Sequence, residues 1–310
     1  MKILNERDIL GLVSLADAIA VMRSAFAQLS SGAAAVPLRQ RLEMPEQQAR
    51  LLVMPAYLPE EAATGAKLIG LHDGNPARGL PLAHSVVMLM DASTGEPQAV
   101  LDGRSITNLR TAAGAALATD LLARRESSSV AIFGAGEQAR WQLRGMCAVR
   151  RIRRAMIIGR TPQRAFEMAQ ELSPELGIPI NVRNHLDRPV DIICTATSSQ
   201  QPVFDAAQVH PGTHINGIGS YRRDMAELPA ALFARSGVRL VVDHRPSCLA
   251  EAGDLAGLDL HPPEIGELVT GRAVGRTDDT EITVYKAVGN AVQDIALAAF
   301  AFRRSLPEKT

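Results

Sequence analysis

The sequence contains little cysteine, few aromatic residues and almost no lysine, and it has no long hydrophobic run. Its three cysteines, Cys147, Cys194 and Cys248, are far apart and have neither zinc-site nor disulfide-framework spacing. No segment reaches the ~18 uninterrupted apolar residues that a membrane helix needs, and residues 1–5 do not open a signal peptide. These absences predict a cytoplasmic protein with no metal site and no membrane span.

Positive and negative charges balance, with 33 basic and 33 acidic residues. This balance gives no indication of a nucleic acid or an anionic membrane as a partner. A local basic run over residues 150–154 is interpreted as a solvated face. Only four of the basic residues are lysines, namely Lys2, Lys67, Lys286 and Lys309. The chain uses arginine for most of its positive charges, so a lysine inside the sequence indicates a specific role.

The first hundred residues have the pattern of an α+β unit. Apolar residues at helical spacing predict one helix over residues 8–30. Apolar runs at residues 51–54, 66–69 and 84–90, separated by turn residues, predict an antiparallel meander. An alanine-rich helix over residues 105–124 follows, and Ser105 is its predicted N-cap.

The rest of the chain alternates short apolar runs with helical or loop stretches, which is typical of parallel βαβ units. The six predicted strands are residues 130–133, 155–158, 178–182, 192–195, 213–218 and 238–242. A final helix over residues 288–303 has no strand after it and is predicted to return to the first domain. The sequence thus predicts an α/β protein with a doubly wound, six-stranded parallel Rossmann domain (116–287) and a discontinuous α+β domain (1–115 with 288–310).

The sharpest motif is a Gly-x-Gly-x-x-Ala sequence that follows the strand at 130–133 and opens a helix. Gly134 permits the tight turn, and Gly136 lets the backbone approach a pyrophosphate. Ala139 is small enough for close helix packing, while free N–H groups at the helix start receive the anion. The motif, with Glu137 and Gln138 in the first helical turn, predicts a dinucleotide site.

The second strand of this domain indicates which dinucleotide is bound. An NAD site usually has an acidic residue there for the ribose 2′-hydroxyl, but this chain has Gly159. Arg160 follows directly and Arg164 lies one helical turn later, and a guanidinium binds a 2′-phosphate well. Thr161 joins them in the prediction, with helix capping before Pro162 as its alternative role. These residues favour NADP(H), with NAD(H) still possible.

At this point the chain resembles the ornithine cyclodeaminase/mu-crystallin family over nearly its whole length. The matching segments are residues 54–56, 65–67, 79–81, 91–95, 109–113, 134–136, 194–199, 214–216, 223–228 and 286–289. The resemblance implies a homodimer that pairs a Rossmann domain with a substrate and dimerisation domain. It also implies a cyclodeaminase, an alanine dehydrogenase or an imino-acid reductase.

Substrates of this family carry an α-carboxylate, and a buried carboxylate needs cationic partners. Arg110 lies early in the helix after the meander, where the helix dipole also favours an anion. Lys67 and Arg39 match the family's other basic substrate positions. Other roles remain open: a domain-bridging salt bridge for Arg110, an exposed strand position for Lys67, and a surface position for Arg39 beside Arg41.

Asp224 is the predicted proton handler, and Lys67 is assigned to catalysis with it. Asp224 follows the strand 213–218, at the edge where open α/β sheets bind ligands, and a tuned carboxyl can relay a proton to an imine nitrogen. Its alternative role is to cap a helix over residues 225–228. The predicted contacts on the nicotinamide side are Thr111, Thr195, Ala196, Thr197 and Gly289.

Two positions depart from the family pattern. Ala287 stands where a serine is common, which removes one cofactor hydrogen bond, and Arg223 replaces a proline before Asp224. His210 and His214 are interpreted as non-catalytic because Pro211 and Gly212 separate them. His72 and His84 flank the substrate region without an assigned role.

The sequence therefore predicts an NADP(H)-dependent reductase of small imino acids, or the reverse amino-acid dehydrogenase. One alternative is an ornithine cyclodeaminase, which recycles its own NAD and which the Gly159–Arg160 pair disfavours. The other is a dinucleotide-binding protein valued for ligand binding, which the complete set of Arg39, Lys67, Arg110 and Asp224 disfavours.

Overall fold

A computed structural model describes residues 1–307, so residues 308–310 of the predicted first domain lie outside it. The strands are β1 (Lys2–Leu4), β2 (Gln40–Met44), β3 (Ala49–Leu58), β4 (Ala63–His72), β5 (Ala83–Asp91), β6 (Pro97–Asp102), β7 (Ser129–Phe133), β8 (Arg154–Ile158), β9 (Ile180–Arg183), β10 (Ile192–Thr195), β11 (His214–Gly217), β12 (Val238–Val242) and β13 (Ile282–Lys286). The helices are α1 (Glu6–Leu12), α2 (Leu15–Ser31), α3 (Gly103–Leu122), α4 (Glu137–Val149), α5 (Pro162–Leu176), α6 (Ala230–Phe233), α7 (Arg245–Glu251), α8 (Ile265–Val269) and α9 (Ala291–Arg304).

The chain divides into two compact units. The first unit comprises Met1–Arg110 and the segment that starts at Asn290, and the second comprises Thr111–Gly289. These bounds differ by a few residues from the predicted 1–115, 116–287 and 288–310. The first unit is therefore built from two separate stretches of chain.

The first unit contains a mixed six-stranded sheet in the order β1-β6-β5-β4-β3-β2. The pairs from β2 to β6 are antiparallel, as the predicted meander requires, and β1 adds in parallel to β6. Helix α9 packs against α2 and against strands β3, β4 and β5. The sheet face under α9 holds the buried core of this unit.

The predicted helix over residues 8–30 is wrong in one respect, because the chain breaks it into α1 and α2. Ser14 begins α2 with a capping box: its hydroxyl accepts from the Asp17 N–H and the Asp17 carboxylate accepts from the Ser14 N–H, both at 3.1 Å. The two helices meet at 84°. Within residues 1–307 no single helix is long and apolar enough to cross a membrane, and this bent pair passes only by combined length and composition.

The predicted cap of α3 is also wrong. The helix begins at Gly103, and the Asp102 carboxylate accepts a hydrogen bond from the Ser105 N–H at 2.7 Å. Asp102 therefore caps the helix, and Ser105 lies in its first turn.

Arg150 does not lie on a solvated face, contrary to the prediction for the basic run over residues 150–154. Its guanidinium donates to the carbonyls of Thr119, Ala123 and Arg124, each at 3.0 Å, at the C-terminal end of α3. Thr119 lies in the last turn of α3, Ala123 and Arg124 follow the helix directly, and a cation is favoured at such a helix end. Arg151 and Arg153 are exposed, as predicted.

The second unit contains seven parallel strands in the order β12-β13-β11-β10-β7-β8-β9, not the predicted six. The additional strand is β13, which lies between β11 and β12. Thr283, Tyr285 and Lys286 interrupt its apolar pattern, although every residue of the strand is buried. The chain order reverses direction between β7 and β10, and ligands of doubly wound sheets bind at such a point, beyond the carboxyl ends of the strands.

Candidate functional site

The glycine-rich turn after β7 has the geometry of a pyrophosphate site. Gly134 has φ +113°, and a Cβ there would lie 2.5 Å from the Ala196 carbonyl oxygen, so only glycine fits. Gly136 precedes α4 directly, and no atom lies within 4 Å of the position of its missing Cβ. Glu137 and Gln138 form the first turn of α4, and Ala139 is fully buried. This open approach to a helix N-terminus fits a dinucleotide pyrophosphate.

Arg140 adds a positive charge beside this turn that the sequence analysis did not identify. Its Nη1 donates to the Ala135 carbonyl at 2.9 Å, and its Nε donates to the Glu171 carboxylate at 2.7 Å. The guanidinium thus holds the carbonyl side of the turn.

The residues after β8 present an exposed basic surface. Arg160, Thr161 and Arg164 are all exposed, and the structure shows no ion pair for either guanidinium among residues 1–307. Thr161 occupies the N-cap position of α5, but its hydroxyl makes no capping hydrogen bond. At Gly159 a Cβ would lie 3.4 Å from the Ala135 Cβ, an ordinary contact, so packing does not require glycine there.

The loop after β10 lies at the carboxyl edge of the sheet, next to the glycine-rich turn. The Ala196 N–H donates to the Phe133 carbonyl at 2.8 Å. Thr195 and Thr197 both donate to the Glu227 carboxylate, which sequence analysis missed. Gly289, with φ +75°, donates its N–H to Asp243 at 2.7 Å.

Thr111, a predicted cofactor contact, and Ala287 occupy buried positions in the second unit. Thr111 is 8% exposed within α3, and Ala287 is 7% exposed directly after β13. The Ala287 N–H donates to the Gly217 carbonyl at 3.1 Å, so the backbone there is held without the serine hydroxyl that is common at this position.

The first unit brings Lys67 and Arg110 together around one carboxylate. The Asp294 carboxylate, on α9, lies 2.7 Å from the Lys67 Nζ and 3.1 Å from the Arg110 Nε. Lys67 and Asp294 are 1% and 0% exposed, and Arg110 also donates to the Gln293 side chain at 3.3 Å. Two buried cations therefore share one buried anion. This arrangement leaves net positive charge for a second carboxylate.

The Lys67 ammonium is placed to give up a proton. Its pKa is lowered to about 8, mainly by burial and also by the positive charges of Arg110 and Arg39, while Asp294 opposes the shift. Lys67 also donates to the Thr107 hydroxyl at 3.4 Å. Arg39, half-buried just before β2, belongs to the same electrostatic environment. The predicted alternative of an exposed strand lysine is wrong for Lys67.

Asp224 lies in a different environment. It occupies a turn before α6 with its side chain 57% exposed, and the Arg222 guanidinium donates to it at 3.0 Å. No helix begins at Met225, so the alternative capping role is wrong. Arg223 donates to the Leu249 and Ala250 carbonyls, which ties this turn to the end of α7.

Among the histidines and cysteines, His214 and Cys194 are fully buried. His214 is fully buried at the start of β11, and burial lowers its pKa to about 3, so the ring is neutral. Burial raises the pKa of the Cys194 thiol to about 12. His84 is exposed on β5 and His72 is half-buried at the end of β4. Within residues 1–307 no group of three or more His, Cys, Asp or Glu is placed to hold a metal ion.

A family model described as the ornithine cyclodeaminase/mu-crystallin family matches residues 1–308. The chain belongs to this family. A Δ1-pyrroline-2-carboxylate reductase of Bacillus cereus is 34% identical over 307 residues, covering 95% of this chain and 94% of that protein. The reductase activity named for this relative agrees with what the glycine-rich turn and the basic residues predict for this family member.

Two solved structures support the same assignment. A Thermococcus litoralis Δ1-pyrroline-2-carboxylate reductase in complex with NADH and L-proline has a TM-score of 0.93 at 34% identity, covering 98% of this chain and 97% of that one. An archaeal alanine dehydrogenase dimer with bound NAD has a TM-score of 0.91 at 30% identity, covering 98% and 96%. The prediction of an NAD(P)-dependent oxidoreductase acting on CH–NH or C=N bonds is confirmed at this level of enzyme class.

Sequence analysis of this family member missed Asp294 and Glu227 for different reasons. Asp294 lies in a predicted helix, 184 residues from Arg110, and nothing local marks it as a counter-ion. Glu227 lies in the quoted segment 223–228, where only Asp224 was singled out. A fully buried carboxylate next to two glycine-containing loops is recognisable only once the strand order is known.

Proposed function

We propose that this protein reduces a small imino acid to the corresponding amino acid with NADP(H), and catalyses the reverse dehydrogenation. The observation that carries the proposal is the buried Lys67–Asp294–Arg110 cluster of the first unit. One anion between two cations suits the binding of a substrate α-carboxylate, and the second unit carries a dinucleotide turn. Two of the named relatives are Δ1-pyrroline-2-carboxylate reductases, which supports a five-membered cyclic imine as the first candidate substrate.

In this proposal Arg110 and Arg39 bind the substrate carboxylate, and Lys67 both binds and supplies a proton. Reduction of an imine needs a proton at nitrogen as hydride reaches carbon, and an acid with a pKa near the working pH is most effective. The pKa of about 8 for Lys67 meets this requirement. Asp224 remains the second candidate for the proton, although its side chain is more than half exposed.

A bound nicotinamide dinucleotide supplies the hydride. Gly134, Gly136 and the first turn of α4 would hold its pyrophosphate, with Arg140 fixing the turn. Thr195, Ala196 and Thr197 lie at the carboxyl edge, together with Gly289, where the nicotinamide half would bind. Thr111 and the residues Glu137 and Gln138 complete the proposed contacts.

The preference for NADP(H) rests on the residues after β8. We expect Arg160→Ala to erase most of a preference for NADPH over NADH, because one charge-assisted contact to a 2′-phosphate is worth ~1.5–3 kcal/mol, about ten- to a hundredfold in affinity. Fluorescence titration with both cofactors measures this. Arg154→Ala is the matched control, because Arg154 is an exposed arginine at the opposite end of the same strand. Equal affinity of the parent protein for NADPH and NADH would contradict the preference.

We also propose a homodimer formed through the sheet face of the first unit that α9 does not cover. On β3 and β5 this face carries Tyr57, Val86 and Met88, which are 43%, 41% and 37% exposed. The register places Val86 beside Leu68 and Met88 beside Ala66, so the exposed side chains form a continuous apolar surface. Such a surface needs a partner, and a related structure is a dimer.

The dimer is tested by the double substitution Val86→Glu with Met88→Lys. We expect it to halve the mass measured by light scattering, because it puts charges into the proposed apolar interface. Leu10→Lys, which changes an equally exposed leucine on α1, should leave the mass unchanged. A monomeric parent protein, or a double variant that remains dimeric, would refute this interface.

The substrate proposal is tested by incubating the protein anaerobically with NADPH or NADH and a panel of imino acids, while following the absorbance of the reduced nicotinamide. The panel includes pyrroline-2-carboxylate, piperideine-2-carboxylate, iminosuccinate and pyruvate with ammonia. Reduction of at least one of these is expected. Release of ammonia from ornithine without net reduction would indicate the cyclodeaminase, and binding without turnover would indicate a ligand-binding protein.

A further inference from the structure

Glu227 is the most heavily hydrogen-bonded carboxylate at the carboxyl edge of the second unit. Its Oε1 accepts from the Thr197 N–H at 2.6 Å and from the Thr197 hydroxyl at 2.8 Å. Its Oε2 accepts from the Thr195 hydroxyl at 2.8 Å, the Gly219 N–H at 2.6 Å and the Ser220 N–H at 3.1 Å. Four of the five donors belong to the loops that follow β10 and β11, and the fifth, the Thr195 hydroxyl, is on the last residue of β10.

The carboxylate therefore fixes two neighbouring loops to each other. Space between them is minimal: a Cβ at Gly219 would lie 2.2 Å from the Thr197 carbonyl oxygen and 2.5 Å from the Glu227 Oε1. On its other side the loop after β10 contacts the glycine-rich turn, where the Ala196 carbonyl excludes any Cβ at Gly134. Glu227 is thus connected, through one loop, to the turn that would hold the pyrophosphate.

A buried ion pair holds Glu227 in place from below. The Asp254 carboxylate accepts from the N–H groups of Glu227 and Leu228 at 2.6 and 3.0 Å, and it lies 3.0 Å from the Lys286 Nζ. Lys286 also donates to the Gly217 carbonyl at the end of β11, at 3.2 Å. Lys286 and Glu227 are both 0% exposed. The arrangement uses a fully buried lysine to anchor a loop, which is consistent with the scarcity of lysine in the chain.

We propose that Glu227 is a positioning residue for the nicotinamide half of the dinucleotide. By fixing Thr197 and Gly219 in one arrangement, it presents the backbone groups of these two loops to the nicotinamide half before the cofactor arrives. The adenosine half binds beyond β8 and does not depend on these loops. This inference rests on the dinucleotide part of the proposed function and not on the identity of the imino acid.

The test is Glu227→Gln, which keeps the size of the side chain but turns one acceptor oxygen into an N–H donor that faces other donors. We expect the Kd of the preferred reduced dinucleotide to rise about tenfold or more. We also expect the nicotinamide fluorescence to lose the enhancement that accompanies binding to the parent protein. The Kd of the adenosine half alone, 2′,5′-ADP or AMP, should change by less than about twofold. A general loss of structure would weaken both ligands equally, and that result would overturn the proposal.

Glu281→Gln is the matched control. Glu281 also accepts several hydrogen bonds, from Arg239 and Thr277, but it precedes β13 at the opposite edge of the sheet. It should lower thermal stability without changing either affinity.

If Glu227→Gln does not fold, Thr195→Val removes one of the five donors and should give the same selective loss, smaller in size. An unchanged dinucleotide affinity in a folded variant would also refute the role, whereas a selective loss in a protein that reduces no imino acid would defeat only the substrate proposal.

Discussion

We expect Arg110→Ala and Lys67→Ala each to lower kcat/KM for the imino acid by about thirtyfold to several thousandfold. Removing one partner of a buried, hydrogen-bonded charge pair costs ~2–5 kcal/mol, because the remaining charge stays buried without its partner. Both cations lie against Asp294, so each variant loses a substrate contact and weakens the field that attracts a carboxylate. Steady-state kinetics over a range of imino-acid concentrations measures the loss.

The dinucleotide affinity of these variants should stay near that of the parent protein, because the proposed dinucleotide residues belong to the second unit. Arg50→Ala is the matched control within the first unit. Arg50 pairs with Asp73, whose side chain is 49% exposed, and an exposed ion pair contributes little. Near-normal kcat/KM in Arg110→Ala would show that Arg110 serves only to pair with Asp294.

The second large effect concerns the proton. We expect Lys67→Arg to retain the positive charge and much of the substrate affinity, yet to lower kcat by ~10²–10⁴-fold, because a guanidinium does not release a proton at neutral pH. In the proposed mechanism Lys67 acts in its protonated form, so the kcat/KM of the parent protein should fall as the pH rises through about 8. Stopped assays between pH 6 and pH 10 should show this alkaline limb in the parent and its absence in Lys67→Arg.

Asp224→Asn decides between the two proton candidates. The Asp224 side chain is more than half exposed and pairs with the Arg222 guanidinium, whereas Lys67 is buried beside Asp294. If Lys67 is the donor, this variant should stay within about tenfold of the parent. The reverse pattern, with Lys67→Arg active and Asp224→Asn inactive, would assign the proton step to Asp224.

The dinucleotide turn could be predicted from the sequence because all its determinants are local. The apolar strand, the two glycines and the small Ala139 lie in one continuous strand–turn–helix segment. The alternation of the later strands likewise predicted a parallel sheet. Strand β13 was not predicted because polar and charged residues interrupt its apolar pattern. Such a residue can be buried when a buried partner pairs with it, as Asp254 does with Lys286. No pattern of apolar residues reveals such a pair.

The basic residues of the proposed substrate site were predicted from the sequence, but the acidic residue between them was not. Lys67 and Arg110 stand out in the sequence through the rarity of lysine and the family segments that contain them. Asp294 looks like any acidic residue in the first turn of a helix, where the helix dipole alone would explain it. Its role depends on where α9 packs, which is a property of the folded unit. Ser14 shows the same limit on a smaller scale, since a capping box overrode a continuous helical pattern.

The division of the first unit into two stretches of chain has a consequence for biosynthesis. The 184 positions that separate Arg110 from Asp294 take roughly 9–37 s to translate at ~5–20 residues per second. During that interval Lys67 and Arg110 have no counter-ion, and the sheet lacks the helix α9 that buries its inner face. The second unit is continuous from Thr111 to Gly289 and has all its strands before α9 is made. The nascent chain therefore completes its second unit first. The Lys67–Asp294–Arg110 cluster is assembled last, after α9 has been made.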